Sequence, residues 1–62
     1  NIDFYIIISK LEYDERIIIT LYYLERYTTK EIARILHKNE NTIKTKLARA
    51  KKKLKRYLEE EN

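Results

Sequence analysis

The chain contains neither glycine nor proline among its 62 residues. These are the two strongest helix breakers, and leucine, isoleucine, lysine, glutamate and arginine, all tolerated in helices, are abundant instead. Cysteine is also absent, so no disulfide can support the core. Domains below roughly 70 to 80 residues seldom gain more than about 3–5 kcal/mol from their core alone. We therefore predict a single all-α domain over residues 1–62 that depends partly on local helix propensity.

The first predicted helix covers residues 2–11, which are apolar at nearly every position. Periodicity alone is equally compatible with a strand there. We favour a helix because a lone strand in so short a chain would leave an unpaired edge. Phe4, Ile7, Ile8 and Leu11 then recur at helical spacing and are expected to face the core.

A second helix is predicted from about Tyr13 to Glu25, with two acidic residues in its first turn, where they complement the helix dipole. Its buried stripe is expected to consist of Ile17, Leu21 and Leu24, with Ile18 and Tyr22 beside it. The width of this stripe predicts a helix that lies centrally in the domain.

Two further helices are predicted on either side of a very short turn. The third, Thr29 to Leu36, begins with a capping box formed by Thr28 and Glu31, and Ala33 is small enough to let another helix approach closely. His37 and Lys38 form the turn, and Asn39 caps the last helix. That helix runs to Leu58, with an apolar stripe made of Ile43, Leu47, Ala50, Leu54 and Leu58. The pair constitutes a helix-turn-helix, so the fold class is a four-helix, all-α domain with a long C-terminal recognition helix.

Positive charge is concentrated in the last helix. Between Lys38 and Arg56 the chain has nine lysines or arginines and one acid, a segment charge of +8, whereas the remainder carries −4. Such polarity predicts an anionic partner, and double-stranded DNA is the one that a helix-turn-helix fits. The simpler alternative is a basic face that is only solvated.

The side of the last helix opposite its apolar stripe carries residue types that can contact base edges in a major groove: Asn pairs with adenine, Lys or Arg with guanine, and Thr or Ala with the thymine methyl. The predicted base-contacting residues are Asn41, Lys44, Thr45, Ala48 and Arg49. The predicted phosphate-binding residues are Thr28, Lys30, Lys46, Lys51, Lys52, Lys55 and Arg56. Lys38 and Lys53 are expected only to increase solubility.

Nothing in the sequence predicts an enzyme, a cofactor or a metal site. Ser9 and His37 have no orienting carboxylate pattern, no glycine-rich phosphate loop exists, and the single histidine has no cysteine to share a metal with. Because no apolar run is long enough to span a bilayer and no signal peptide is recognisable, a soluble cytoplasmic protein without a membrane partner is expected. A start at Asn1 rather than Met suggests a fragment of a longer chain.

Five short motifs together resemble one family, region 4 of the bacterial sigma-70-type transcription initiation factors, especially the extracytoplasmic-function class. They cover about residues 8–58 in the family's order and spacing. The motifs are Leu11-x-x-x-Glu15-Arg16, Leu21-x-Tyr23, Thr28-x-x-Glu31-Ile32-Ala33, Asn41-Thr42-Ile43-Lys44-x-x-Leu47 and Arg49-Ala50-x-x-x-Leu54. The chain departs from the family's usual residues at three positions: His37 replaces Gly or Asn, Lys38 an aliphatic residue, and Arg26 a common Gly. We expect His37 to adopt the left-handed conformation and the Lys38 stem to cover the core.

The resemblance implies that the last helix recognises the promoter −35 element, with Thr42 and Ile43 as cap and core residues. It also implies that the Glu31-Ile32-Ala33 helix crosses the DNA backbone and that the preceding helices dock on the β-subunit flap of RNA polymerase. A LuxR-type response-regulator domain, which shares two of the motifs, is the alternative within DNA binding. The alternative outside DNA binding is a protein-interaction module that acts mainly through polymerase or an anti-sigma factor. Ile7 and Ile8 are its expected contact residues.

Overall fold

The computed structural model describes residues 4–61. Over that range the elements are α1 (Phe4–Ile8), α2 (Tyr13–Ile19), α3 (Thr29–Leu36) and α4 (Glu40–Glu61), and α2 continues directly into a π-helical turn (Thr20–Leu24). No strand occurs between residues 4 and 61, so the predicted all-α class is confirmed. The first two residues of the predicted first helix, 2 and 3, lie outside the described range.

Helix α1 ends three residues earlier than predicted. The Ser9 hydroxyl donates to the Ile6 carbonyl at 2.6 Å and thereby competes with continuation of the helix. Ile7, Ile8 and Leu11 are buried, as predicted. Because Ile7 and Ile8 are inside the core, the expectation that they contact a protein partner is wrong; the exposed apolar residues of α1 are Tyr5 and Ile6.

Helix α2 starts at Tyr13 as predicted, but its second half changes geometry. The Glu25 N–H bonds to the Thr20 carbonyl at 3.1 Å, an i→i+5 pattern that widens the turn and rotates later residues away from the α-helical stripe. Leu24 is consequently 47% exposed, so its predicted place in the buried stripe is wrong. Ile18 and Ile19, rather than Ile17, form the buried centre.

Helix α3 has the predicted bounds because its signals are local. The Thr28 hydroxyl accepts from the Glu31 N–H at 3.1 Å, and the Glu31 carboxylate accepts from the Thr28 N–H at 2.8 Å, so the capping box is present. At the other end His37 adopts φ 56° and ψ 44°, the left-handed conformation expected for it. The Lys38 N–H then bonds to the Ala33 carbonyl at 2.9 Å and closes the helix.

Helix α4 begins where the Asn39 cap predicts, since the Asn39 side-chain oxygen accepts from the Asn41 N–H at 2.7 Å. Ile43, Leu47 and Ala50 of its apolar stripe are buried and Leu54 packs against them. The stripe ends sooner than predicted: Leu58 is exposed, while Tyr57 packs partly on the core.

The core lies where α4 packs across both α2 and α3. Its residues with no exposed surface are Ile19, Ile32, Ile43 and Ala50. Full burial of each isoleucine side chain contributes roughly 1.5–3 kcal/mol to the stability of the fold. Because α4 buries one side against two other helices, its opposite side is fixed toward solvent. This orientation of α4 positions the candidate site.

A small cavity of about 110 Å³ remains beside the turn between α3 and α4. Four apolar side chains, Ile17, Ile18, Leu36 and Ile43, line it together with Asp14, Lys38, Thr42 and Lys46. Lys38 is exposed overall but lines the cavity beside these apolar residues, which is compatible with the placement expected for its stem.

Candidate nucleic-acid interface

The exposed side of α4 carries all five residues predicted to contact bases. Asn41, Lys44, Thr45, Ala48 and Arg49 are each solvent-exposed, whereas the buried residues of the same segment lie on the opposite side. Three of the five border a shallow concavity of about 320 Å³, whose lining is Asn41, Thr42, Thr45, Lys46 and Arg49. Fold and sequence pattern thus produce one continuous polar surface along the first half of α4.

Two hydrogen bonds determine what this surface offers a ligand. The Thr45 hydroxyl donates to the Asn41 carbonyl at 2.9 Å, so its proton is already used while its methyl group remains exposed. The Asn41 backbone N–H donates to the Asn39 side-chain oxygen, and the Asn41 side-chain amide makes no hydrogen bond within the described residues. An amide and a methyl group are the groups that recognise adenine and thymine in a major groove.

The second half of α4 continues this surface with cations that have no counterion. The side chains of Lys52, Lys55 and Arg56 are exposed and make no hydrogen bond or ion pair within the described residues. The exposed Arg49 side chain, one turn earlier, likewise forms no ion pair at contact distance, although its charge acts on the Glu15 carboxylate. Unpaired ammonium and guanidinium groups in a row are suited to successive phosphates. Thr28 and Lys30, also predicted to bind phosphate, are exposed at the start of α3.

Lys46, by contrast, is engaged within the fold. Its ammonium lies 2.6 Å from the Asp14 carboxylate on α2, and the hydrogen bond and positive charge of Lys46 lower the pKa of Asp14. This predicted phosphate-binding residue therefore has a competing intramolecular partner.

Lys53 lies two helical turns further along the same flank and forms a second ion pair with α2. Its ammonium is 2.9 Å from the carboxylate of Glu15, a residue only 4% exposed. The hydrogen bond to Glu15 raises the pKa of Lys53. The expectation that Lys53 serves only solubility is wrong, because it is the counterion of a buried charge.

Two opposing effects act on the ionisation of Glu15. Burial alone would raise its pKa, but the Lys53 hydrogen bond, the Glu12 backbone N–H, and the charges of Lys53 and Arg49 together outweigh burial and lower the pKa. Glu15 is therefore held ionised in the fold. The two ion pairs together fix one flank of α4 against α2.

The opposite flank of α4 contacts aromatic rings. The Lys51 ammonium lies 5.2 Å from the centre of the Tyr22 ring and 5.8 Å from that of Tyr23, both within cation–π distance. The π-helical turn supplies these two neighbouring tyrosines, whose rings meet edge to face at 5.0 Å. Lys51 is still exposed, so its predicted phosphate contact stays a prediction that the cation–π contacts do not block.

Sequence reasoning missed one polar group at the start of α4. The Glu40 carboxylate accepts a hydrogen bond from the Thr29 hydroxyl at 2.9 Å, and the same oxygen lies 3.7 Å from the Lys44 ammonium. Only the i,i+4 spacing of Glu40 and Lys44 was visible in the sequence. The link to Thr29 joins the first turns of α3 and α4.

No group of three or more His, Cys, Asp or Glu residues in the described part of the chain could hold a metal ion. None of the helices between residues 4 and 61 is long and apolar enough to cross a bilayer.

A helix-turn-helix whose second helix exposes a basic side with amide, hydroxyl and methyl groups at its N-terminal end defines a DNA-binding domain. The chain belongs to the sigma-70 region 4 family, whose model matches residues 4–54. No curated protein and no solved structure gives a significant match. Region 4 is a DNA-binding regulatory domain that serves sigma factors in recognition of promoter −35 DNA and in contact with RNA polymerase. The family match gives no support to the response-regulator alternative.

Proposed function

We propose that this domain recognises the −35 element of a promoter as part of an extracytoplasmic-function-type sigma factor. The observation that carries the proposal is the arrangement along α4. One side is buried in the core, and the other presents base-contacting residue types followed by Lys52, Lys55 and Arg56 without counterions. A helix that only needed to be soluble would have no reason to separate these two kinds of residue.

In this proposal the N-terminal half of α4 enters the major groove. Asn41 pairs with adenine, Lys44 and Arg49 donate to guanine, and Thr45 and Ala48 contact thymine methyl groups. Ala48 has a short side chain, which lets the helix lie deep in the groove.

Contacts to the DNA backbone come from both helices of the helix-turn-helix. The second half of α4 follows one strand through Lys51, Lys52, Lys55 and Arg56, with Lys46 once it leaves Asp14. Thr28 and Lys30 approach the backbone from the start of α3. Contacts of this kind provide affinity and register but no sequence information.

The test is the salt dependence of duplex binding. Selection from a random-sequence duplex pool identifies the preferred site, and its affinity is then measured over a range of salt concentrations. We expect log K to fall with log[salt] by about 0.9 for each phosphate contact. A flat dependence would contradict the proposal. One asymmetric site is expected; two symmetric half-sites would instead favour a dimeric response regulator.

A second surface supports contact with RNA polymerase. Phe4, Tyr23, Leu54 and Leu58 form an apolar groove of about 350 Å³ between α1, the π-helical turn and the end of α4, with Lys51 and Lys55 along it. Exposed Tyr5 and Ile6 lie on the neighbouring helix α1. Exposed apolar groups that cluster in this way are typical of protein contact sites. We assign this groove to the polymerase β-subunit flap, with an anti-sigma factor as a competing partner.

Substitution by glutamate separates the two surfaces. Leu58→Glu is expected to abolish capture of core polymerase while duplex affinity changes by no more than the added negative charge explains. Ile35→Glu introduces the same charge at an exposed apolar residue of α3 outside the groove and is expected to retain capture. If Leu58→Glu and Ile35→Glu captured core polymerase equally well, the groove would not be part of the interface. If Leu58→Glu lost both duplex binding and its helical circular-dichroism signal, the variant would be unfolded. Leu58→Ala would then be tested as the milder substitution.

A further inference from the structure

One carboxylate connects the two helices of the helix-turn-helix to a base-contacting side chain. Glu40 is the first residue of α4, and its Oε2 atom accepts the partly buried hydrogen bond from the Thr29 Oγ1 atom of α3 at 2.9 Å. Lys44 Nζ lies 3.7 Å from the same oxygen. Thr29, Glu40 and Lys44 therefore form a chain that runs from the first turn of α3 to the exposed side of α4.

We infer that Glu40 is a positioning residue: held by Thr29, it sets the direction of the Lys44 ammonium and so contributes to sequence preference without contacting a base itself. The inference rests on the proposed function, in which Lys44 faces the major groove.

The physical reason lies in the flexibility of lysine. Its ammonium is a point charge on a stem with four rotatable bonds, so it selects a base poorly unless something restricts its direction. Glutamate one turn before a lysine is the favoured orientation for an i,i+4 pair. Here the carboxylate is itself restrained by Thr29, which reduces the entropy that the pair would otherwise lose.

Glu40 is poorly suited to contact a base directly. The oxygen that faces Lys44 already accepts the Thr29 hydrogen bond, and a carboxylate brought closer to DNA would be repelled by the phosphates. Its charge has a further consequence: it offsets one cation near the groove and so lowers attraction to every duplex alike. Sequence preference and general affinity are thus expected to change in opposite directions when Glu40 is neutralised.

The effect on preference should be modest because the Glu40–Lys44 pair is exposed. Exposed i,i+4 pairs are weak, and a restraint of that strength changes the discrimination between base pairs by about twofold. The change should be confined to the one base pair that Lys44 contacts. Confinement to one position distinguishes positioning of a side chain from a general weakening of the helix.

The experiment measures affinity for the selected duplex and for each of its single base-pair variants, using wild type and four substitutions. Thr29→Val removes the hydroxyl at constant shape and charge, and Thr29→Ser restores it. Glu40→Gln removes the charge, and Glu59→Gln makes the same charge change at an exposed residue of α4 that forms no ion pair within the described residues. We expect Thr29→Val and Glu40→Gln to reduce discrimination about twofold at one base pair. Thr29→Ser should behave as wild type, and Glu59→Gln should strengthen all duplexes without changing their ratios.

Three results would overturn the inference. Thr29→Val and Glu40→Gln could leave every ratio unchanged, they could lower discrimination equally at all positions, or Thr29→Ser could fail to restore the wild-type ratios. A wild-type chain without any sequence preference is a different outcome, because it contradicts the proposed function itself. If the wild-type chain has a sequence preference and Thr29→Val and Glu40→Gln leave it unchanged, only the proposed role of Glu40 is contradicted.

Discussion

Glu15 Oε1 accepts two hydrogen bonds at 2.9 Å, one from the Lys53 ammonium and one from the Glu12 backbone N–H. A single buried oxygen therefore joins the start of α2 to the middle of α4. Charges are buried in proteins only when they are paired, since an unpaired charge loses its hydration without compensation. The orientation of the proposed recognition helix depends on this contact.

Lys53→Met should therefore destabilise the domain, because it removes the counterion and leaves the buried carboxylate. Lys52→Met is the matched control, since Lys52 is the exposed neighbour without a partner, and it should change the free energy of unfolding by no more than about 0.5 kcal/mol. Adding Glu15→Gln to Lys53→Met should recover part of the loss, since no charge then remains buried. Urea unfolding measures all of these variants. Equal stability of Lys53→Met and Lys52→Met would contradict the assigned role of Lys53.

The same carboxylate makes stability depend on pH. Because the folded-state pKa of Glu15 is lowered, the unfolded chain binds the proton more readily, so the contribution of Glu15 is present above the ordinary glutamate pKa of 4.5 and is lost as pH falls below it. The lowered pKa of Asp14 acts in the same direction. The free energy of unfolding should fall more steeply below pH 4.5 for wild type than for Glu15→Gln. Parallel curves would show that Glu15 is not held ionised in the fold.

Substitution by glycine should stabilise the domain at two residues that have positive φ. Arg26 has φ 62° and His37 has φ 56°, and the left-handed conformation costs a non-glycine residue about 1–2 kcal/mol. Glycine avoids that cost but gains unfolded-state entropy, so Arg26→Gly and His37→Gly should each stabilise by about 0.5–1 kcal/mol. Arg34→Gly, in the interior of α3, should instead destabilise by about 1 kcal/mol. Thermal unfolding compares the three, and a uniform sign would contradict this account.

Local signals in the sequence predicted those parts of the fold whose causes are local. The bounds of α3 depend on Thr28, Glu31 and the left-handed His37, all within or next to the helix, and all were predicted. The π-helical turn was not predicted, because residues 20–24 contain no breaker and their wider hydrogen bonding depends on how the following turn closes. Leu24 was therefore placed on the wrong side.

The candidate site likewise has features that depend on local sequence, which were predicted, and features that depend on helix packing, which were not. Which side of α4 is exposed followed from the spacing of Ile43, Leu47 and Ala50. The ion pairs of Lys46 and Lys53 could not be predicted, since 32 and 38 residues separate these lysines from their acids, and the pairing depends on how α2 crosses α4. Charge counts alone treat all of these lysines as equivalent.

Lys38 offers a test of packing at the turn. The cavity of about 110 Å³ beside Lys38 is lined by four isoleucine or leucine side chains together with Asp14, Thr42 and Lys46. Lys38→Ile should fill part of this space and stabilise the domain by about 1 kcal/mol. Lys52→Ile, at an exposed residue of α4 that lies outside the apolar groove, is the control for added hydrophobicity and should not stabilise. A Lys38→Ile variant no more stable than Lys52→Ile would indicate that the side chain cannot enter the cavity.

The two halves of α4 predict two kinds of DNA-binding defect. Lys44→Ala and Arg49→Ala should alter which base pairs are preferred, because these residues flank the base-contacting side. Lys52→Ala and Lys55→Ala should weaken all duplexes alike and reduce the salt slope by about 1 each. Lys46→Ala should reduce it less, since Asp14 already neutralises that ammonium at 2.6 Å. Selection from random duplexes, repeated at several salt concentrations, distinguishes these results. If all five variants lost affinity uniformly, α4 would be a basic helix that grips phosphates without reading sequence.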